Sequence, residues 1–231
     1  MSTIGIIGGH GKVALLAAPL LVEQGHRVRS VIRKQEQIAD VEQTGAEAVV
    51  RDVMDLSTDQ IAALFRDQAL DAVVWSAGVG GGDPERTWKV DRDAAIRTMD
   101  AAVQAGVSRY VMVSYLGSSL EHEVPKEDDF YAYAQSKAEA DEHLRGTSLD
   151  YTILGPGMLT LEEPTGKIDV TTDPQDADTS RANVARVIAA VLADDSTIGK
   201  AIPFTDGDTA IAEAVAGAPE STRPVSYTHL T

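Results

Sequence analysis

At 231 residues, with a formal charge of −16 and no cysteine, the chain is long enough for a full core and has no disulfide framework, thiolate nucleophile or cysteine metal site. So acidic a surface repels nucleic acid and anionic membranes, and no run of Lys or Arg offsets it. The longest apolar stretch, Val13 to Val22, holds Pro19 and is too short to cross a bilayer; no basic segment precedes an apolar one at the N-terminus, so a cytoplasmic setting is expected.

Strand and helix signals alternate from the start. Thr3 to Ile7 is a short apolar run ending in glycines and reads as a buried strand. Lys12 to Gln24 carries apolar residues on one helical face, and Gly25 stops it. Val28 to Ile32 reads as a strand, Gln35 to Gln43 as a helix ended by Gly45, and Ala46 to Val50 as a strand. A helix over Thr58 to Asp67 leads to a fourth strand, Asp71 to Trp75. One long helix from Pro84 to Ala105, closed by Gly106, is expected before a fifth strand, Arg109 to Val113. Phe130 to Leu144 then reads as a helix and Tyr151 to Leu154 as a sixth strand. Thr171 to Thr179 is polar and reads as a loop, with Ser180 placed to cap a helix running to Leu192. From Ala218 onward, with Pro219 and Pro224, no period remains; this tail is expected to add nothing to the core, and Val225 to Thr231 reads as foreign to the domain. The alternation predicts parallel βαβ units in one doubly wound α/β domain over residues 1–217.

The first strand ends in Gly8-Gly9-His10-Gly11, followed by Lys12-Val13-Ala14. Small residues at Gly8, Gly11 and Ala14 give a tight turn, a close backbone approach and close helix–strand packing, as a dinucleotide-binding Rossmann loop requires. The first turn of the helix, Lys12 and Val13 included, then offers free N–H groups and a positive dipole end to a phosphate. The same glycines also suit a plain strand-to-helix turn, but their place at the head of a βαβ series favours the nucleotide. His10 can touch a phosphate or serve as a polar loop residue. An acid at the tip of the second strand would select NAD; here the tip is Ile32-Arg33-Lys34, and the Arg33 fork suits the extra phosphate of NADP. NADP(H) is therefore expected over NAD(H). Asp52 and Val53 follow the third strand, where the Asp can meet an adenine amino group or simply start a loop. Ser76-Ala77-Gly78, followed by Gly80-Gly81-Gly82, leave room for a ribose or form a pliant loop.

Tyr133 and Lys137 stand four residues apart and so share one helix face, which Tyr131 does not. A nearby ammonium favours the phenolate and pulls the tyrosine toward the working range, where it can move a proton to or from a carbonyl oxygen. An amphipathic helix with a snorkelling lysine gives the same spacing. Ser114, at the end of the fifth strand, is placed to hold the same oxygen, because ligands of such sheets bind beyond the carboxyl ends of the strands.

Taken in order, Gly8-x-x-Gly11-x-x-Ala14, Arg33, Asp52, Ser76-Ala77-Gly78, Ser114 and Tyr133-x-x-x-Lys137 resemble the short-chain dehydrogenase/reductase superfamily, and within it the atypical NmrA-like or sugar-epimerase-like group. Lys137 to Leu144, Leu149 to Leu154 and Ser180 to Ala185 strengthen the likeness, which spans roughly residues 3 to 215. The resemblance implies that Gly8, Gly9, Gly11 and Arg33 bind cofactor phosphates, Asp52 meets adenine, Lys137 holds the nicotinamide ribose, Tyr133 is the acid/base and Ser114 orients a small carbonyl or alcohol substrate. Three positions depart from the pattern. Tyr115 replaces a second hydroxyl residue, so Ser114, Ser118 or neither serves; Asp91 stands where an asparagine is frequent; and Gly155-Pro156-Gly157 lacks the arginine frequent before the proline.

The five histidines show no metal-ligand spacing, and His122 and His143 read as surface residues. Glu127-Asp128-Asp129 suits a helix start. An NAD(P)-dependent oxidoreductase or epimerase is thus expected, against a nucleotide-sensing regulator without chemistry and a flavin or quinone reductase. The short C-terminal part leads one to expect a small or shallow substrate site.

Overall fold

The structure, a computed structural model, describes residues 1–79, 82–171 and 178–219. Its strands are β1 (Thr3–Ile7), β2 (Arg27–Ile32), β3 (Glu47–Val50), β4 (Ala72–Trp75), β5 (Arg109–Val113), β6 (Asp150–Pro156), β7 (Met158–Thr160), β8 (Lys167–Val170), β9 (Asp178–Ser180), β10 (Lys200–Asp206) and β11 (Thr209–Ala210). The α-helices are α1 (Lys12–Glu23), α2 (Ile38–Glu42), α3 (Thr58–Asp67), α4 (Pro84–Thr87), α5 (Ala95–Ala105), α6 (Tyr131–Arg145), α7 (Arg181–Ala193) and α8 (Ile211–Ala216).

Nine strands form one sheet in the order β11-β8-β10-β6-β5-β4-β1-β2-β3. From β10 to β3 all pairs are parallel; only β8 runs antiparallel, to β10 and β11. β1 and β4 are buried at every residue, as continuous apolar strands covered on both faces must be. On one face α1 packs against α7; on the other α3 packs against α5. Two apolar clusters follow, one holding Leu21, Val187 and Phe204, the other Phe65, Met99 and Tyr151. This is the doubly wound Rossmann arrangement, with its strand order reversing between β1 and β4.

The long helix expected over Pro84 to Ala105 is not α-helical throughout. Trp88–Ala94 is a π-helical segment between α4 and α5, and it carries Asp91 into the interior. Ser180 does precede α7, but its hydroxyl donates to the Glu162 carbonyl instead of capping the helix. Asp178 and Thr179, read as loop, lie in β9. β7, β8, β10, β11 and α8 had no clear sequence signal. β10 contains Pro203, which argues against a strand on sequence grounds; it is tolerated where the pairing with β8 ends, at Phe204 opposite Val170. Ala218 is buried in the first cluster, so the start of the tail does belong to the core. The remainder of the tail and Gly80-Gly81 lie outside the described residues. Among the described residues no helix is long and apolar enough to cross a membrane, and no group of three acids or histidines is placed to hold a metal.

Candidate functional site

Every candidate residue except those of the helices sits just past the carboxyl end of a parallel strand. Gly8 follows β1, Arg33 follows β2, Asp52 follows β3, Ser76 follows β4 and Ser114 follows β5. Two cavities open along this edge.

The first, about 250 Å³, is floored by the glycine loop and by Ser76, Ala77 and Gly78. Gly8 has φ +81°, and a Cβ there would stand 2.7 Å from the Ala77 Cα. The loop and the β4 end are therefore pressed together, which only glycine permits. Gly11 precedes α1, and its missing side chain leaves the helix start open to the cavity. Gly9 instead seats the loop on β2, since a Cβ there would strike the Ser30 Cβ at 2.6 Å. His10 is occupied, with Nε2 2.8 Å from Asp40 and Nδ1 3.1 Å from Gln37, and braces the loop against the helical segment after β2. Lys12 is exposed and Val13 is buried in the core, so these two contribute main chain only.

Three arginines border this cavity: Arg33, Arg51 and Arg86. Neither Arg33 nor Arg86 has an acidic partner among the described residues. Free cations facing one cavity, in a chain of charge −16, form a place for an anion. Only Arg33 was legible in the sequence; Arg51 reaches the cavity because β3 lies beside β2 in the sheet. Asp52 and Val53 also border it, and Asp52 at the same time accepts the Met54 N–H at 3.0 Å, so it is both a turn-former and a wall. A glycine cradle that a Cβ would fill, an open helix start and unpaired arginines together fit a dinucleotide with phosphates.

Lys137 on α6 lines neither cavity and is almost fully enclosed. Its Nζ donates to the Val113 carbonyl at 3.0 Å and pairs with Asp91 at 3.3 Å. Asp91 is held in turn by the Val79 N–H at 3.0 Å. Burial pulls the Lys137 ammonium down, but the Asp91 carboxylate, helped by Tyr133 and Asp141, outweighs it and leaves Lys137 above its ordinary pKa. The Lys137 Nζ lies 5.9 Å from the centre of the Tyr133 ring. The expectation of a lowered tyrosine pKa is not met. Burial pushes Tyr133 up; Lys137 pulls the other way; Asp91 and Asp141 push up again, and the net direction is upward. A neutral tyrosine is therefore the resting form.

Ser114 and Ser118 both donate to Oδ2 of Asp141, each at 2.6 Å. Asp141 is fully buried and its Oδ1 has no hydrogen-bond partner. Burial raises its pKa, against the hydrogen bonds from Ser114 and Ser118. Sequence reading missed Asp141, although it lies one helical turn past Lys137. Of the two serines, Ser114 borders the same cavity as Tyr133, while Ser118 borders a smaller neighbouring one. Tyr131 does not join them; its ring lies 5.6 Å from that of His122. His122 and His143 are half-buried and partnered, by Gln135 and Asp100, and not free surface groups. Where the arginine is missing, Gly155 is closely packed: a Cβ there would stand 3.1 Å from the Tyr115 carbonyl oxygen and 3.3 Å from the Pro203 Cα.

The second cavity, which holds Ser114 and Tyr133, measures about 730 Å³, so the site is not small. Its walls include Tyr115, Phe130, Met158 and Leu159.

Comparison with known proteins agrees with this geometry. Residues 8–195 match a family described as NAD(P)H-binding. A Bacillus subtilis protein named "uncharacterized sugar epimerase YhfK" is 34% identical over 91% of this chain and 97% of its own. The structure of an NAD-dependent epimerase/dehydratase-like protein from Bacillus halodurans superimposes with a TM-score of 0.84 at 33% identity, covering 93% and 99% of the two chains. The anaerobilin reductase ChuY of Escherichia coli superimposes with a TM-score of 0.71 at 25% identity, covering 90% and 98%. The chain belongs to the NAD(P)H-binding family of Rossmann-fold proteins, in the atypical short-chain dehydrogenase/reductase-like, epimerase-like group.

Proposed function

We propose that the protein is an NADP(H)-dependent oxidoreductase acting on a small carbonyl or alcohol, with reduction of the carbonyl the favoured direction. The observation that carries this reading is that Tyr133 and Ser114 share one cavity at the strand ends, with Lys137 beside Tyr133. The cofactor, when bound, supplies hydride chemistry at the substrate carbon. Gly8, Gly11 and the first turn of α1 would hold its pyrophosphate, and Arg33 and Arg51 its extra phosphate. Lys137 would hold the ribose hydroxyls, kept charged and in place by Asp91 and the Val113 carbonyl. Tyr133, neutral at rest, donates its proton to the substrate oxygen. Ser114 donates its O–H to Asp141, so its oxygen is free to accept from the O–H of the alcohol product and does not bind the carbonyl oxygen. A cytoplasmic setting completes the proposal, and the cysteine-free sequence is compatible with it.

A cofactor-sensing regulator is the second reading, favoured by the raised Tyr133 and the engaged Ser114. Titration with NADPH and with NADH, followed by nicotinamide fluorescence, is the first test. Tight NADPH binding with weaker NADH binding supports the cofactor assignment; binding of neither overturns it. Tyr133→Phe then separates the two readings: it abolishes turnover but spares NADPH binding in an enzyme, and leaves a regulator's cofactor response unchanged.

A further inference from the structure

The second cavity is built unlike a carbohydrate site. Its aromatic residues form a cluster: Tyr115 and Phe130 meet edge to face at 5.5 Å, and Tyr133 lies 5.4 Å from each. Met158 and Leu159 add aliphatic and thioether surface, and Met158 is 73% exposed, Phe130 43%. Apolar surface left in water is recovered when an apolar ligand covers it, and a methionine sulfur adds favourable contact with an aromatic ring.

Polar groups are few. Ser114 already donates its O–H to Asp141, and Tyr133 is assigned to the reacting oxygen. That leaves the Ser114 oxygen as an acceptor, the Tyr115 hydroxyl and Asp178 to serve a polyol, each of whose buried hydroxyls would need a partner. No Lys, Arg or His lines this cavity among the described residues, and the ionisable side chain at its edge, Asp178, is an acid. A diphosphate or carboxylate would enter with no countercharge and against a repelling one.

We propose that this cavity takes a neutral, flat, conjugated carbonyl compound of two or three rings, and not a sugar or nucleotide sugar. The volume of about 730 Å³ lies in the range that encloses such a ligand. The inference rests on reading this cavity as the substrate site of the reductase proposed above.

Ligand-observed NMR titration of the full chain with menadione and, separately, UDP-glucose tests it without turnover. The expected result is saturable menadione binding that Phe130→Ala and Met158→Asp each weaken about tenfold, with no saturable UDP-glucose signal. Both residues are well exposed, so the variants keep the fold, which an unchanged melting temperature verifies. UDP-glucose binding weakened by the same variants overturns the inference; so does menadione binding that is absent or indifferent to them. An NADPH titration of the same samples keeps the two readings apart. Loss of NADPH binding in the wild type sinks the cofactor assignment, whereas normal NADPH binding without menadione binding sinks the ligand class alone.

Discussion

Asp91 and Lys137 form an ion pair of 3.3 Å whose side chains are 0% and 3% exposed, one carried by the π-helical turn and the other by α6. The carboxylate stands where relatives frequently have an asparagine, and it changes the electrostatics of Tyr133. It satisfies the lysine, but it also pushes the tyrosine up. Asp91→Asn removes that push, while burial and Asp141 still push Tyr133 up and Lys137 still pulls it down. The alkaline limb of the pH–rate profile, set by Tyr133, is expected to move to lower pH in Asp91→Asn. A limb that stays in place would mean that Tyr133 is not the titrating group.

The same pair bears on stability. Lys137 is raised above its ordinary 10.5 in the fold, so its contribution is complete below that value and is lost as pH rises through the folded-state value. Asp91→Ala leaves a buried ammonium without its partner, and a loss of about 3–5 kcal/mol is expected at neutral pH. Urea denaturation at pH 7 measures it. A change within about 0.5 kcal/mol, the size usual for surface substitutions, would show that Lys137 reaches water when its partner is gone.

Asp141 follows the same sign, in a lower pH range. Its folded-state pKa is raised above 3.8, so the fold favours the protonated acid. Its contribution to stability is complete below 3.8 and is lost as pH rises through the folded value. Asp141→Asn keeps the shape, can still accept from Ser114 and Ser118, and does not ionise. The variant should therefore gain on the wild type as pH increases from the acid side toward neutrality. Paired urea titrations at acid and neutral pH read this difference; a constant offset between the two proteins would contradict it.

The first half of the fold was legible because its signals are local and repeated. β1, β4 and β5 are short, mostly apolar runs, and Gly25, Gly45 and Gly106 mark the ends of their helices with positive φ. Gly8, Arg33, Tyr133 and Lys137 were found because their spacing along the chain is itself the signal. Asp91, Asp141 and Arg51 were not assigned their parts because they act across elements. Asp91 meets Lys137 only through a π turn that no periodicity announces, and Arg51 meets the cavity of Arg33 only through the β2–β3 pairing. The late strands escaped for a related reason. β7, β9 and β11 have two or three residues, too few for a period, and depend on distant partners.

Gly8 gives the sharpest steric test of the cradle. With φ +81° and a Cβ that would stand 2.7 Å from main chain at Ala77, Gly8→Ala must move either the loop or the β4 end. The left-handed conformation alone costs about 1–2 kcal/mol for a residue with a Cβ. Gly8→Ala is expected to lose NADPH binding in the fluorescence titration and to lower the denaturation midpoint modestly. Gly25→Ala shares the positive φ but meets nothing within 4 Å, so it should show the stability loss without the binding loss. Equal NADPH affinity in the two variants would detach the glycine loop from the cofactor.

The arginines decide between the two nicotinamide cofactors. Arg33 and Arg51 extend from neighbouring strands, β2 and β3, to one cavity, and a phosphate between them would accept from both forks. Charge-assisted hydrogen bonds of this kind are worth about 1.5–3 kcal/mol each, so Arg33→Ala should weaken NADPH by roughly ten- to a hundredfold. NADH, which lacks the phosphate, should be nearly unaffected. Arg51→Ala should have a smaller effect, because its guanidinium already donates to the Val50 carbonyl at 2.7 Å and must share its donors. Raising ionic strength should weaken NADPH more than NADH, since the cavity is open to screening ions. If NADH and NADPH lose affinity equally in Arg33→Ala, the side chain holds a part common to both cofactors, and the preference for NADP(H) fails with it.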